Sequence, residues 1–245
     1  ILAQERAGVV LALADALAPF APEGALAIST SANEFDLRRL KREFVAVYLI
    51  VPSRKLAASA SWIALQINNA IETIADERGP VRTTFILDEF AQLPPIEAVT
   101  KATRLYRSKG IQLWFFAQSR YSLRERYPEV LAREFEEQAG VVTMRSIGES
   151  EMIRDLELWS GNRTILNRGV SHNGGTVETA AANLGESKRS VLQAEDIIGL
   201  GLDRQIIKVA TMPHLIVSDC VPFFAVDPWK YQIGDVRALH RGEFE

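Results

Sequence analysis

The sequence has little cysteine and no long apolar run. Cys220 is the single cysteine among 245 residues, so no disulfide can form within the chain, and a disulfide-stabilised secreted domain is excluded. Its apolar surroundings predict a buried thiol, in keeping with a reducing cytoplasm. The longest apolar run, residues 44–51, is far shorter than the roughly 20 residues of a membrane-spanning helix. We therefore expect the chain itself to be soluble and cytoplasmic.

The chain also lacks an excess of positive charge. Its 28 lysines and arginines face 31 acidic residues, which gives a formal net charge of −3, so any contact with nucleic acid has to be local. A hydrophobic content of 47% excludes a disordered or fibrous protein and can fill one large core or two smaller ones. The sequence starts at Ile1 without an initiator methionine or a signal peptide, which predicts a piece of a longer protein.

Strand and helix patterns alternate through the first two thirds of the chain. Helices are predicted where apolar residues recur in steps of three and four or where Gly and Pro bound a segment, at 1–20, 56–74, 95–109, 121–138 and 149–159. Buried strands are predicted at four apolar runs, 44–51, 83–87, 111–116 and 141–144. Because long crossovers join these strands, they predict a mostly parallel sheet with helices on both faces, a three-layer α/β fold.

The last third of the chain has a different pattern. Residues 162–190 are polar, rich in Gly, Asn, Ser and Thr, and include the pair Gly174-Gly175, which predicts a long loop. A short helix is expected at 193–200. Two antiparallel strands are predicted beyond it, at 205–210 and 215–217.

The stretch TTFILDEFAQL, residues 83–93, contains the strongest candidate site. Asp88 and Glu89 directly follow a predicted buried strand. In nucleotide-hydrolysing α/β proteins, one carboxylate at such a position holds the water shell of Mg²⁺, and the next one orients the attacking water. The structural alternative is that these residues only cap the turn that follows the strand.

Further candidates lie on both sides of the next predicted strand. Gln118 follows that strand, and its amide can both donate and accept hydrogen bonds beside a γ-phosphate, although it can equally cap the next helix. Arg107 precedes the strand and can reach a phosphate in a neighbouring subunit, or it can belong to a solvated basic face. Arg120 and Arg124 open the following helix, where they can face DNA or solvent.

Taken together, these motifs resemble the type IV secretion coupling proteins, the VirD4/TraG family of conjugative DNA-transfer ATPases. DEFAQL is similar to the extended Walker B segment of that family, RSKGI to its R-x-x-G-[IL] element and AQS to its Gln-Ser strand end. FVAVYLIVPS precedes these motifs, and GVVTMRS and RSVLQAEDI follow them, so the resemblance covers nearly the whole chain.

The resemblance implies a role for each site residue. Asp88 would bind Mg²⁺ through water, and Glu89 would be the catalytic carboxylate of ATP hydrolysis. Gln118 would sense the γ-phosphate, and Arg107 would act as an arginine finger for the adjacent subunit of a hexamer. Family members are anchored in the bacterial inner membrane. They deliver relaxase-bound DNA or effector proteins to the secretion channel.

The resemblance also implies the domain organisation. Residues 1–31 would be the end of an all-α domain, and residues 32–245 would be the C-terminal half of a RecA-like nucleotide-binding domain. The phosphate-binding motif G-x-x-x-x-G-K-[ST] does not occur in the sequence, and the family places that motif upstream of the all-α domain. We therefore expect this chain alone to be inactive as an ATPase.

Two other functions fit the sequence. One is a different ring translocase, such as a VirB4-type secretion ATPase or an FtsK-like DNA pump, which an upstream pair of membrane helices and an inserted helical domain would separate from a coupling protein. The other is a non-catalytic module that docks relaxosome or effector proteins through the late loop and hairpin. A natural upstream sequence without a phosphate loop would favour the docking module.

Overall fold

The chain divides into two units between Gln138 and Ala139, each with its own sheet and hydrophobic core. The computed structural model describes residues 2–24, 26–28, 30–32, 34–170 and 182–229. Across those ranges, no helix combines the length and apolarity needed to cross a membrane.

The first unit contains the two predicted strands that carry the candidate site, together with helices on both sides of them in the chain. Its elements are α1 (Leu2–Leu17), α2 (Arg39–Arg42), α3 (Leu56–Asp76), β1 (Thr83–Leu87), α4 (Glu97–Leu105), β2 (Ile111–Phe115), α5 (Arg120–Arg126) and α6 (Glu129–Glu137). β1 and β2 pair in parallel, with Thr83 opposite Ile111 and Leu87 opposite Phe115. This pairing confirms the predicted parallel arrangement of the two strands that carry the candidate site.

The core of the first unit lies between α3, α4 and one face of β1 and β2. Ile71 and Ile74 of α3 are fully buried there together with Val99 of α4. Each such aliphatic side chain stabilises the fold by about 1.5–3 kcal/mol relative to an exposed one. The opposite face of the strand pair leaves Ile86 and Trp114 exposed.

The predicted strand at residues 44–51 is wrong. Residues 44–50 adopt no strand in the structure, and Phe44 is 96% exposed and Ile50 85% exposed. A strand exists only where a neighbour accepts its ladder hydrogen bonds, and β1 pairs only with β2 within the described residues. Val51, at the end of the run, is half-buried against the core. The apolar run therefore has the residue types of a strand, but no neighbouring strand pairs with it in the described structure.

The single helix predicted at 121–138 is two helices, α5 and α6, separated at Pro128. Tyr127 has φ −117° and ψ 144°, an extended conformation. Proline has no N–H for the helical ladder, and its ring disfavours helical geometry in the preceding residue. The break turns Tyr127 into the core, where it is almost fully buried.

The second unit contains an antiparallel sheet and a separate ribbon. Its elements are β3 (Val141–Arg145), α7 (Ser150–Trp159), β4 (Asn162–Val170), β5 (Ala182–Ser190), α8 (Ala194–Ile198), β6 (Arg204–Val209) and β7 (Ile216–Asp219). The predicted strand β3 forms, but it pairs antiparallel with β6 instead of extending the parallel sheet. The predicted antiparallel pair β6 and β7 is confirmed. Ile206 and Leu156 are fully buried in the core of this unit.

The long loop predicted at 162–190 is also wrong over its described part. β4 and β5 form an antiparallel ribbon whose register runs from Asn162 opposite Ser190 to Val170 opposite Ala182. A ribbon exposed on both faces has no alternation of apolar and polar residues, so its composition resembles that of a loop. The Gly174-Gly175 pair lies outside the described residues. Cys220, expected in the core, is half-buried.

Lys41 fixes the start of both parallel strands. Its side chain is almost fully buried, and its Nζ donates hydrogen bonds to the carbonyls of Lys109 and Gly110. Its own carbonyl accepts the N–H of Val81 at 3.2 Å. Burial lowers the pKa of Lys41. Gly79 packs directly on this carbonyl.

Substituting Gly79 with alanine is expected to destabilise the protein by about 1–3 kcal/mol. A Cβ at this position would lie far inside van der Waals contact of the Lys41 carbonyl oxygen, which cannot move without breaking its hydrogen bond. Urea denaturation measures the loss. Gly148→Ala is the matched control, because its Cβ would meet no atom within 4 Å. Equal stability of the two variants would contradict the prediction.

Candidate nucleotide-hydrolysis site

The parallel register brings three predicted site residues to one edge of the strand pair. Asp88 and Glu89 follow Leu87, and Gln118 follows three residues after Phe115, the partner of Leu87. Parallel neighbours lie about 4.8 Å apart, so the carboxyl ends of β1 and β2 present these side chains at the same edge. All three residues are exposed. The register therefore places the three residues that the sequence grouped at one edge of the strand pair.

Asp88 and Glu89 form a turn after β1, the carboxylate turn. Two backbone hydrogen bonds extend the strand pairing into it. The N–H of Phe116 donates to the carbonyl of Leu87 at 3.1 Å, and the N–H of Phe90 donates to the carbonyl of Phe116 at 3.0 Å. Asp88 and Glu89 lie between these two attachments. Phe116, directly after β2, thus holds the backbone on both sides of the turn.

Glu89 has a left-handed backbone conformation, with φ 48° and ψ 40°. A residue with a Cβ costs about 1–2 kcal/mol in this region, so surrounding contacts must impose it. Locally, Oδ1 of Asp88 accepts the N–H of Glu89 at 3.1 Å. This bond is the turn-capping role considered from sequence, and it uses one oxygen of Asp88. The Glu89 carboxylate has no hydrogen-bond partner among the residues that the structure describes.

Phe90 is the anchor that imposes this conformation, and sequence reasoning missed it. Its side chain has no exposed surface, and its ring centroid lies 4.7 Å from that of Phe115, 5.2 Å from that of Tyr127 and 5.8 Å from that of Phe135. Aromatic pairs at such distances add about 0.5–1.5 kcal/mol each beyond their buried area. With Phe90 fixed inside, Glu89 must face outward. A large aromatic residue directly after the two acids was the available signal.

Tyr127 connects this anchor to the neighbouring helices. Its Oη accepts the N–H of Ile96 at 3.3 Å, just before α4. Burial raises the pKa of Tyr127 to about 12, partly offset by that hydrogen bond, so the phenol is neutral at physiological pH. Arg126 at the end of α5 donates from Nε to the carbonyl of Ala91 at 3.1 Å. The segment that follows the carboxylate turn is therefore attached to α5, and the start of α4 is attached to Tyr127.

Gln118 is not the cap of α5. That role belongs to Ser119, whose Oγ accepts the N–H of Ser122 at 3.1 Å, while the Ser119 N–H donates to Oγ of Ser122. Gln118 has no side-chain hydrogen bond to any residue in the described ranges. Its amide is consequently available to a ligand at the same edge as Glu89.

Arg107 lies at the opposite edge of the strand pair. It belongs to a 3₁₀ turn, Tyr106–Lys109, that precedes β2, whereas Gln118 follows β2. A five-residue strand spans roughly 15 Å, so Arg107 and Glu89 of one chain are not brought together. Arg107 is exposed.

The structure places the two candidate DNA-facing arginines differently. Arg120 donates to both carboxylate oxygens of Glu136, at 2.9 and 2.6 Å, and its side chain is only 12% exposed. This bidentate pair joins α5 to α6. The Arg124 guanidinium lies 5.9 Å from the ring centre of Tyr121.

The chemistry of this edge suits a hard divalent cation. Asp88, Glu89 and Gln118 offer oxygen donors, which Mg²⁺ prefers. In the described part of the chain, no group of three or more His, Cys, Asp or Glu side chains forms a metal cage. Mg²⁺ usually keeps several waters and uses one or two carboxylates together with phosphate oxygens, so this edge fits it as a partner of a bound nucleotide.

In open α/β sheets, ligands bind outside the carboxyl ends of the strands, which is where this domain presents its acidic and amide side chains. Residues 2–225 match the family model for type IV secretory system conjugative DNA transfer, and the chain belongs to this family. The predicted resemblance is thereby confirmed.

The relatives and solved structures agree with this assignment. The chain is 25% identical to protein VirD4 of Rhizobium rhizogenes and 24% identical to VirD4 of Agrobacterium fabrum, each over 194 residues. These matches cover 76% of the chain but only 28% and 29% of the relatives, so the chain corresponds to less than a third of their length.

Solved structures of the conjugative coupling protein TrwB show the same fold. TrwB with sulphate has a TM-score of 0.59 at 16% identity, and the match covers 77% of this chain and 44% of TrwB. TrwB with the ATP analogue ADPNP gives 0.59 at 14% identity and the same coverage. TrwB with ADP and Mg²⁺ gives 0.59 at 13% identity, covering 77% and 43%. The predicted α/β, RecA-like fold class is confirmed.

Proposed function

We propose that the longer protein is an ATPase that couples DNA or protein substrates to a type IV secretion channel. The observation that carries this proposal is the outward-facing Glu89, held next to Asp88 at the end of β1 by hydrogen bonds to the end of β2 and by the buried Phe90. An acidic pair that only capped a turn would need neither the left-handed backbone nor a free Glu89 carboxylate. Family membership and the nucleotide complexes of TrwB support the same chemistry.

Each residue at the edge has a separate role in this proposal. Asp88, with one oxygen on the Glu89 N–H, uses the other to hold the water shell of Mg²⁺. When bound, Mg²⁺ neutralises charge that develops on the transferred phosphate. Glu89 accepts the proton of the attacking water, and Gln118 hydrogen-bonds the γ-phosphate from the neighbouring strand end.

Arg107 is proposed to serve an adjacent subunit. Its position at the amino edge of β2 separates it from Glu89 in the same chain, and a guanidinium can neutralise transition-state charge from across an interface. This arrangement requires a ring, for which we propose a hexamer. Other partners in the proposal are DNA with its relaxase, or effector proteins, and the secretion channel at the inner membrane.

The remaining parts of the nucleotide site belong to the longer protein. No Gly-Lys pair occurs in the sequence, so this chain supplies no lysine-containing cradle for the β- and γ-phosphates. We propose that residues 1–31 end an inserted all-α domain and that residues 32–245 complete the nucleotide-binding domain. Helix α1, in which Val9, Val10 and Leu13 are exposed, fits a helix that packs within such a domain.

ATP turnover by the intact protein tests the proposed function. We expect Mg²⁺-dependent hydrolysis that single-stranded DNA stimulates, and no turnover by residues 1–245 alone because the phosphate cradle is missing. Phosphate release measured with and without DNA distinguishes these cases. An intact protein that binds DNA or secretion partners but never hydrolyses ATP would reject the ATPase and favour a docking module.

A further inference from the structure

The ribbon of β4 and β5 carries a group of exposed cations that the nucleotide site does not use. Its strands pair only with each other within the described residues. The backbone N–H of Val191 donates to the carbonyl of Gly161 at 2.9 Å and closes its base. Next to that base, Arg163, Lys188 and Arg189 are all exposed. Three cations thus lie together at this end of the ribbon, although the net charge of the chain is −3.

The register sets two arginines directly opposite each other. Arg163 pairs with Arg189 across the ribbon, and opposite residues of an antiparallel pair share a face with Cβ atoms about 4.5–5.5 Å apart. Like charges in this position destabilise a strand pair. The adjacent pair, Thr164 with Lys188, puts a third cation on the other face. The arrangement costs stability in the protein as it stands.

The protein does little to compensate this charge. Arg163 has no ion pair or side-chain hydrogen bond to the rest of the described structure. Arg189 has one carboxylate nearby, Glu195, at 3.8 Å, with 75% of the Glu195 side chain exposed. Exposed pairs of this length contribute about 0–1 kcal/mol and yield readily to a better anion. Two arginines therefore pair across the ribbon, and the only carboxylate near them in the described structure is the weak partner of Arg189.

A phosphate group satisfies this pair better than any group of the chain itself. Guanidinium groups bind phosphate oxygens through two parallel N–H donors each, and one phosphodiester between two arginines removes their repulsion. We propose that Arg163 and Arg189 bind the sugar-phosphate backbone of a single DNA strand. The choice of DNA rests on the proposed function, since the family acts in conjugative DNA transfer. Contacts to phosphate alone read no base sequence, so the proposed site is independent of the DNA sequence.

Salt-dependent DNA binding by the intact protein tests this site. The probe is a fluorescent thymidine oligonucleotide, titrated between about 50 and 200 mM salt. Each lost phosphate contact lowers the slope of log K against log salt by about 0.7 for single strands. Arg163→Gln with Arg189→Gln is expected to lower that slope by about 1.4 and to weaken binding roughly 25-fold at 0.1 M salt. The lysine versions of both sites should keep most of the slope, because they keep the charges.

The matched control removes the same charge elsewhere. Arg54 and Arg78 are exposed arginines of the first unit, and the control is their joint replacement by glutamine. The proposal predicts that this variant binds DNA like the wild type. Equal weakening in both double variants, or unchanged binding in the ribbon variant, overturns the proposal. Polyglutamate serves as a second probe. If the ribbon variant loses polyglutamate binding but keeps DNA binding, the proposal is overturned and the ribbon is assigned to an acidic polypeptide.

The outcome is separable from that of the proposed function. Ribbon-dependent DNA binding by a wild-type protein that never hydrolyses ATP would reject the ATPase and leave the DNA site in place. DNA-stimulated turnover with ribbon-independent binding would do the reverse.

Discussion

Replacing Glu89 with glutamine in the intact protein is expected to lower ATP turnover by about 10²–10⁴-fold. Glutamine has nearly the same shape but cannot accept the proton of the attacking water. ATP should stay bound, because Asp88 and the phosphate cradle are unchanged. The measurement combines steady-state phosphate release with nucleotide binding by a fluorescent analogue, so that lost chemistry is distinguished from lost affinity.

The control for this substitution is the same change at Glu125, an exposed glutamate of α5, which should leave turnover unaltered. Mixed oligomers extend the test to Arg107. If the site is shared between subunits, Glu89→Gln and Arg107→Ala subunits combined in one ring should regain part of the turnover that each lacks alone. Unchanged turnover in the Glu89 variant would mean that the carboxylate only ends a strand, and the roles of Arg107 and Gln118 would fall with it.

Replacing Phe90 with alanine is expected to destabilise the protein by about 3–5 kcal/mol. The side chain is completely buried among three aromatic rings, so its removal leaves a cavity and removes its contacts with all three rings. The left-handed turn at Glu89 loses its anchor as well, and turnover in the intact protein should fall even where the variant is folded.

Denaturation in urea, followed by tryptophan fluorescence, measures the stability change. Phe44→Ala is the matched control: the same atoms are deleted from a ring that is 96% exposed, and the cost should stay within about 0.5 kcal/mol. Similar losses for the two variants would show that Phe90 does not anchor the turn.

Sequence alone identified the elements whose apolar pattern is matched by a neighbour to pair or pack with. β1 and β2 are apolar runs that pair with each other. The buried face of α3 is visible in the spacing of Ile63, Ile67, Ile71 and Ile74. The position of the candidate site at the sheet edge could also be predicted, because its polar residues come shortly after those two strands. Residues 44–50 have an equally strong apolar pattern, but their partner is not encoded in the pattern itself.

Features that depend on tertiary contacts could not be predicted from the sequence. The conformation of Glu89 is contrary to its own preference and is imposed by Phe90, Phe116 and the strand ends. The ribbon of β4 and β5 has a register but no hydrophobic alternation, so only the pairing of its backbone reveals it. Arg163 and Arg189 lie 26 positions apart in sequence, and their adjacency is a result of that pairing.

The left-handed backbone at Glu89 sets stability against activity in this protein. Glycine adopts that conformation without steric cost and asparagine with less than most residues, so a search for thermostable variants would favour either one at position 89. Such variants would gain up to about 1–2 kcal/mol from relieved strain and lose the carboxylate. Glutamine relieves nothing, since it keeps the same Cβ and the same strain. The residue that best suits the fold at this position is therefore one that the proposed chemistry cannot use.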